Sequence, residues 1–429
     1  GSENTAVGQG ALDANTTAAG NTAVGSDALT ANTTGASNTG LGKNAMEANT
    51  TGANNVAVGR SALAANTTGT RNTSVGKDSL YTNTTGARNV CLGFQALYTN
   101  NANDNTAVGH NALFNNTTGT GNVALGKSAG ENVTTGDNNT LIGKLAGDAI
   151  TTGSANVALG EDALSANTTA SNNTAVGQGA GEVLTTGANN TFVGALAGDG
   201  TDDGAGNAAL GYGSLSANCG DDNTAVGSYT LAACTGGKNT SVGQTAGFAV
   251  TSGNNNLFLG ADAGRTGSPG GNWTTQSNVM VLGDENITNA YIQVDWTISS
   301  DARDKTDFTA LDLGLDFVKA LAPVTYKWDK RSKYGDKSAD DYDLAAQTPD
   351  GTHKEDWLDI GFKAQEVEAL EIAAGYKVGD KKNLTVSYGS DGKQMGLQYS
   401  KFVPILVKAI QEQQALIESL TARITTLEG

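Results

Sequence analysis

Short apolar steps punctuated by glycine organise the first two thirds of the chain. Asn-Thr-Ala-Val-Gly recurs with its glycine at Gly8, Gly25, Gly42 and onward to Gly243 and Gly260, in steps of 17 residues with three exceptions of 16. Each unit reads approximately Asn-Thr-Ala-Val-Gly-x-x-Ala-Leu-x-x-Asn-Thr-Thr-Gly-x-x. The Ala/Val alternation has the period of a strand, and the glycine after it permits a turn that a Cβ would obstruct. Ala-Leu makes a second apolar step, replaced by Ala-Gly at Ala129-Gly130, Ala180-Gly181 and Ala246-Gly247. Asn-Thr-Thr-Gly closes the unit with turn-forming residues. The spacing predicts one coil per repeat, with two short strands and two tight corners, in a parallel β-solenoid or β-roll over residues 1–283. A looser copy, Val-Met-Val-Leu-Gly, ends at Gly283 after an insertion.

Stacking sets like residues above like. Asn4, Asn21, Asn38, Asn55, Asn72 and Asn89 are expected to form a ladder of amides that satisfies polar groups inside the stack. At about 4.8 Å per coil the stack would be on the order of 80 Å long. The thin apolar face of Ala, Val and Leu calls for partner chains. The Gly/Pro-bearing insertion 261–278, with Trp273, reads as a cap that ends the stack, with a binding loop as the alternative.

The pattern then changes. Ile287, Tyr291, Ile292, Val294, Trp296 and Ile298 predict the strands of a short β neck over 284–299. From residue 300 to 429 the order suggests an α+β domain. It has a helix from Leu311 to Leu321 with Leu315 and Val318 on its apolar face, ended by Pro323, and a strand from Val324 to Trp328. A polar, disordered-looking loop from Asp329 to Asp356 follows. Ile360 to Val367 then runs from strand into helix, and Leu384 to Tyr388 forms a further strand. The closing helix carries Val403, Leu406, Ile410, Gln413, Ile417, Leu420, Ile424 and Leu427 at coiled-coil spacing over about three and a half heptads. Ile and Leu alternate there as in dimers, and Gln413 could fix register instead, so the seam alone leaves the number of strands open.

Composition sharpens this picture. Glycine contributes 58 residues, proline 4, and aromatics 6%, too few large side chains for a thick core but enough for many thin layers. The net charge is −17, and residues 1–299 hold only 9 basic against 21 acidic side chains. That balance argues against nucleic acid or a membrane surface as partner, and no run is apolar enough to insert in a membrane. Cys91, Cys219 and Cys234 are too scattered for a disulfide framework or zinc site and read as small buried hydrophobes. No metal or cofactor site is expected. Gly1-Ser2 has the look of a cloning remnant, which leaves room for an attachment segment or targeting signal upstream.

Two rival functions follow from residue types. Recurrent Thr-Thr pairs could form an ice-binding array, although they fall in glycine-flanked corners. Asp202-Asp203 and Asp221-Asp222 are the clustered carboxylates that a polysaccharide-cleaving site needs, but they fall in irregular coils and read as solvated turns. His110 follows Gly109 at a variable, solvent-facing corner. Arg60, Phe94, His110 and Tyr212 share that corner position, where binding to a cell-surface glycan or protein receptor would be tuned.

Two resemblances add expectations. The Asn-x-x-Val-Gly repeats over residues 3–283 resemble the head repeats of trimeric autotransporter adhesins, which implies a left-handed parallel β-roll and, as an alternative, a bacterial surface location. Four motifs resemble the intramolecular chaperone of phage tailspikes and endosialidases, the S74 peptidase family, over residues 300–429. They are Ser300-Asp301-x-Arg303-x-Lys305, the Leu-x-Pro-Val-x-Tyr step at Leu321 to Tyr326, Gly361-Phe362-x-Ala364-Gln365-Glu366-Val367, and the helix start from Tyr399 to Ala409. The resemblance implies a viral tail fibre or tailspike, exposed on the virion, whose chaperone trimerises it and then cuts itself off. Carried over, the scissile bond is Ser299–Ser300, the nucleophile Ser300 and the base Lys305, with Asp301, Arg303 and Gln365 as positioning residues. No external substrate is implied.

Overall fold

The computed structural model describes residues 1–293, 298–336, 342–377, 382, 384–389, 392 and 394–429. The chain divides into two compact units, Gly1–Asp262 with Thr274–Met280, and Ala263–Trp273 with Val281–Gly429.

Among the described residues, seventeen three-residue strands, β1 (Thr5–Val7) through β17 (Met280–Leu282), form one parallel sheet. Consecutive coils pair in strict register, Thr22 with Thr39 and Ala23 with Gly40, then Ala57 with Ser74. The repeat is therefore a solenoid, as its spacing predicts. Each coil has one strand, not two. The Ala-Leu step is a turn in which Leu29, Leu63 and Leu80 adopt φ of 53°, 54° and 50°. A left-handed leucine costs about 1–2 kcal/mol; the same turn buries that side chain completely, and burial returns a comparable amount.

The middle strand residue and this leucine fill the coil, so the single chain shields Ala23, Ala28 and Leu29 by itself. That corrects the expectation that the whole apolar face needs sister chains. What stays outside is the third strand position: Leu41, Leu92, Leu125, Leu159 and Leu210 are exposed.

The Ala-Gly coils mark a volume exchange. Gly198 holds the leucine position at φ 66°, and a Cβ there would lie 2.7 Å from the Phe192 ring. Phe192, buried at the middle of β12 (Thr191–Val193), occupies the space a leucine fills elsewhere. Phe192→Ala is expected to destabilise the solenoid by about 3–5 kcal/mol, measured by denaturant unfolding.

The predicted asparagine ladder is present. The backbone N–H of Asn38 donates to Asn21 Oδ1 at 2.9 Å, and Asn55 to Asn38 likewise. A second ladder, from the Asn-Thr-Thr-Gly corner, runs beside it: Asn49 Nδ2 donates to Asn32 Oδ1 at 2.8 Å and Asn66 to Asn49 at 2.7 Å. Both are fully buried. In two of the three repeats that shorten to 16, an asparagine side chain, Asn101 or Asn218, replaces the missing backbone. In a full corner the N–H groups of Thr33 and Thr34 both reach Thr50 O, whereas those of Thr84 and Thr85 reach Asn101 Oδ1, at 3.0 and 2.9 Å.

The insertion lengthens one coil and does not end the stack, because the chain rejoins the ladder afterwards. Thr251 N–H donates to Thr274 O at 2.7 Å and Leu257 N–H to Val279 O at 2.8 Å. Residues 286–293 and 298 carry no strand, which departs from the expected neck; Val294 and Trp296 lie outside the described residues.

In the second unit, helix α1 spans Leu315–Ala320, shorter than predicted because Gly314 interrupts its start. Its first N–H, on Leu315, is capped at 2.7 Å by Glu412 of helix α3 (Phe402–Glu428). Strands β18 (Val324–Tyr326) and β19 (Asp359–Gly361) pair antiparallel, as do β20 (Val386–Tyr388) and β21 (Met395–Leu397). The Asp329–Asp356 stretch contains two 3-10 turns, Arg331–Lys333 and Leu344–Ala346. Residues 337–341 lie outside the description. Leu313, Phe317, Val367, Val386, Phe402 and Ile405 form the core. Helix α2 (Ala364–Ala373) is tied to β20 by buried Glu371, which accepts from Thr385 N and Oγ1, both at 2.6 Å.

Candidate functional site

A single 3-10 turn, Ala302–Asp304, builds the Ser300 site. Asp301 caps it by accepting from Arg303 N at 2.9 Å, and its carboxylate is gripped by the Arg303 guanidinium at 2.6 Å. That charge-assisted bond holds the Asp301 carboxyl below its usual range and raises Arg303. The tight turn brings the chain back on itself, so that Lys305 Nζ lies 2.5 Å from Ser300 Oγ and 3.3 Å from Ser300 O. Five residues of separation thus become a direct contact between the lysine nitrogen and the serine hydroxyl. Ser299, Ser300 and Lys305 are all exposed.

The other motif residues assemble elsewhere. Val324 of the Pro-Val-x-Tyr step pairs with Gly361 across β18 and β19. Phe362 N–H donates to Tyr399 Oη at 3.3 Å, and the Phe362 ring lies 5.4 Å from Phe402. A Cβ on Gly361 would stand 2.4 Å from Tyr399 Oη, which is why glycine precedes that phenylalanine. Gln365, in the first turn of α2, is exposed and makes no hydrogen bond to Ser300 or Lys305. The geometry therefore joins Ser300, Asp301, Arg303 and Lys305 and leaves Gln365 apart.

Helix α3 divides into two faces. Phe402, Ile405 and Ala409 are buried in the core. Val403, Leu406, Ile410, Gln413, Ile417, Leu420, Ile424 and Leu427 are all exposed, Ile410 by 65%. A row of large apolar side chains open to water on one helix face is the hallmark of an unfilled coiled-coil seam.

On the solenoid, the rival chemistries fare poorly. Thr33 and Thr50 spend their hydroxyls on the carbonyls of Thr50 and Thr67, each at 3.0 Å, so the first threonine of each pair serves the coil stack. Asp202 accepts from Thr185 Oγ1 at 2.5 Å and Asp221 from Ala205 N at 2.8 Å, bonds that tie one coil to the next. Cys91, Cys219 and Cys234 are free and buried; burial pushes the Cys91 thiol up to about 12, leaving it unreactive. Among the described residues no helix is long and apolar enough to cross a membrane.

The chain thus combines a repetitive β-solenoid with a small α+β domain whose closing helix leaves one apolar row exposed. The family model for the chaperone of endosialidase, Peptidase_S74, matches residues 300–376, so the C-terminal segment carries a domain of this S74 type. The match covers the Ser300, Leu321 and Gly361 motifs; the Tyr399 motif lies beyond it. No curated protein matches the chain.

Proposed function

We propose that the chain is the shaft and receptor-binding segment of a trimeric viral tail fibre or tailspike, assembled by a C-terminal chaperone that releases itself by one cut at Ser299–Ser300. The observation that carries this reading is the open seam on α3, downstream of the segment 300–376 that matches the S74-type chaperone, on the same chain as a seventeen-strand stack. Identical coils can slip by one repeat at little cost in the core, because each step offers nearly the same layer. A folded oligomeric C-terminus sets one register for every chain.

In the self-cut, Ser300 Oγ adds to the Ser299 carbonyl carbon while Lys305 Nζ takes the hydroxyl proton. The carbon–nitrogen bond breaks as the Ser300 nitrogen is protonated, leaving Ser299 esterified to Oγ. Water then hydrolyses the ester, giving a Ser299 carboxylate and a free Ser300 amine. No substrate has to diffuse in, so proximity supplies much of the rate.

Oligomerisation is tested by light scattering. The intact chain of 43.3 kDa is expected to give three times that mass, and Ile410→Asp with Ile417→Asp is expected to reduce it to the monomer. A monomeric parent chain ends the fibre reading. Ice-recrystallisation and polysaccharide-degradation assays are expected to be negative.

A further inference from the structure

The corner residue after each strand glycine forms a straight row along the stack, and over seven successive coils it reads Lys43, Arg60, Lys77, Phe94, His110, Lys127, Lys144. We propose that this row is a docking stripe for an acidic polysaccharide. The inference rests on the receptor-binding reading above and names the class of receptor.

The row is built, not scattered. Of the 9 basic residues before position 300, five fall in it, although the chain as a whole is strongly acidic. Each backbone carbonyl of the row is pinned by the coil before or after: Ser61 N–H donates to Lys43 O at 2.9 Å, Asp78 to Arg60 at 3.0 Å, Gln95 to Lys77 at 3.1 Å, Ser128 to His110 at 2.8 Å. Successive side chains therefore stand one strand spacing apart, about 4.8 Å, and the row spans roughly 30 Å. All seven side chains are exposed.

Its middle is a flat aromatic step flanked by cations. Phe94 and His110 stack with centroids 5.2 Å apart and planes 27° apart, and Lys77 Nζ sits 5.2 Å from the Phe94 centroid. Two acidic groups touch the row: Asp78 lies 3.4 Å from Lys77, and Glu161 lies 2.7 Å from Lys144. The Lys144–Glu161 pair is solvent-exposed and the Lys77–Asp78 pair is half-exposed and long, so both hold their lysines weakly. Lys43, Arg60 and Lys127 make no ion pair among the described residues.

Charge complementarity selects the occupant. A linear partner must carry one negative charge per short, regular step and offer flat faces to Phe94 and His110. An extended chain of carboxylated sugars does both, since each ring is about one coil spacing long and presents a C–H face to an aromatic ring. Nucleic acid offers stacking too, but it carries its charge on a phosphate backbone set apart from the stacking bases, not on the ring that meets the aromatic step.

The test uses the full chain with polygalacturonate, neutral dextran and single-stranded poly(dT) as probes, by biolayer interferometry at low and physiological salt. Polygalacturonate is expected to bind, with affinity falling as salt screens the contact, and dextran and poly(dT) are not. Lys43→Glu with Arg60→Glu and Lys77→Glu should weaken binding at least tenfold, and Phe94→Ala several-fold. Arg71→Glu with Arg88→Glu, basic positions off the row, should leave binding within twofold. The proposal is overturned if polygalacturonate fails to bind, if the off-row variant loses as much as the row variant, or if poly(dT) binds equally well. It is also overturned if the row variant changes the oligomeric mass, which would make the row an interface between copies. Attachment of the chain to receptor-bearing cells, undiminished by the row variant, would leave receptor binding standing while the stripe fails.

Discussion

Ser300→Ala is expected to leave the chain in one piece on a denaturing gel, whereas the parent chain is expected to resolve into fragments of residues 1–299 and 300–429. The expectation rests on the contact between Lys305 Nζ and Ser300 Oγ at 2.5 Å and on what each group can do there. A serine hydroxyl attacks only when a neighbouring base removes its proton. As an ammonium, Lys305 donates to Oγ; as an amine, it takes the proton through the same contact. Removing one member of such a pair costs about as much as removing both, commonly a factor on the order of 10⁶ in rate. Lys305→Arg separates chemistry from shape, because a guanidinium keeps the charge and reach but does not give up its proton; it too should block the cut. Asp301→Asn retains a capping oxygen and loses the Arg303 ion pair, so it should slow cleavage and not abolish it. Lysine acts as a base where burial disfavours its charge, and Ser300 and Lys305 are open to solvent in the single chain. Cleavage is therefore expected to accelerate with protein concentration as assembly covers the site. An uncut parent chain at every concentration would sink the self-cleavage proposal.

Much of this arrangement was legible in the residues because repetition multiplies the signal. The Asn4-type ladder, the strand glycines and the seam of α3 follow from spacing alone. The second strand of each coil did not form because Leu29 and its equivalents satisfy two demands at once, a left-handed turn and a filled interior, and a linear pattern of apolar residues does not distinguish that from an extended step. The ladder at Asn32, Asn49 and Asn66 looked like turn chemistry, and it is turn chemistry; its burial emerges only when coils stack. The α1 start falls after Gly314, and the cap that fixes it there, Glu412, comes from nearly a hundred residues away. In the Ser300 motif, Asp301 caps the turn and pairs with Arg303, whereas Gln365 belongs to a helix start whose neighbours, Phe362 and Tyr399, pack together. Local motifs carry local geometry well. Long-range caps leave no trace in sequence spacing.

Gly143→Ala, one methyl group on a surface-facing corner, is expected to disrupt the solenoid more than most substitutions inside it. Gly143 has φ +140°, and a Cβ there would stand 2.2 Å from the carbonyl oxygen of Gly160 in the next coil. That oxygen is backbone and cannot rotate aside. The same geometry repeats up the row, with Gly126 meeting Gly143 O at 2.3 Å and Gly160 meeting Gly177 O at 2.3 Å. These glycines therefore set the closeness of the stack as well as the turn. Backbone strain of this kind costs on the order of 1–3 kcal/mol by itself. The displaced coil would also lose ladder bonds such as Gly143 N–H to Leu125 O at 2.9 Å and Gly160 N–H to Ile142 O at 2.8 Å. Because a solenoid is held by nearest-neighbour interfaces, damage at one step should open the stack there and leave the coils on either side folded. Limited proteolysis should then cut near residue 143 under conditions where the parent chain resists, and the melting temperature should fall. Lys144→Ala, one residue further on and exposed, should change stability by no more than about 0.5 kcal/mol. Equal protease resistance in the Gly143→Ala and Lys144→Ala chains would show that the coils can separate locally at no cost, and the close-packed glycine row would no longer explain the repeat.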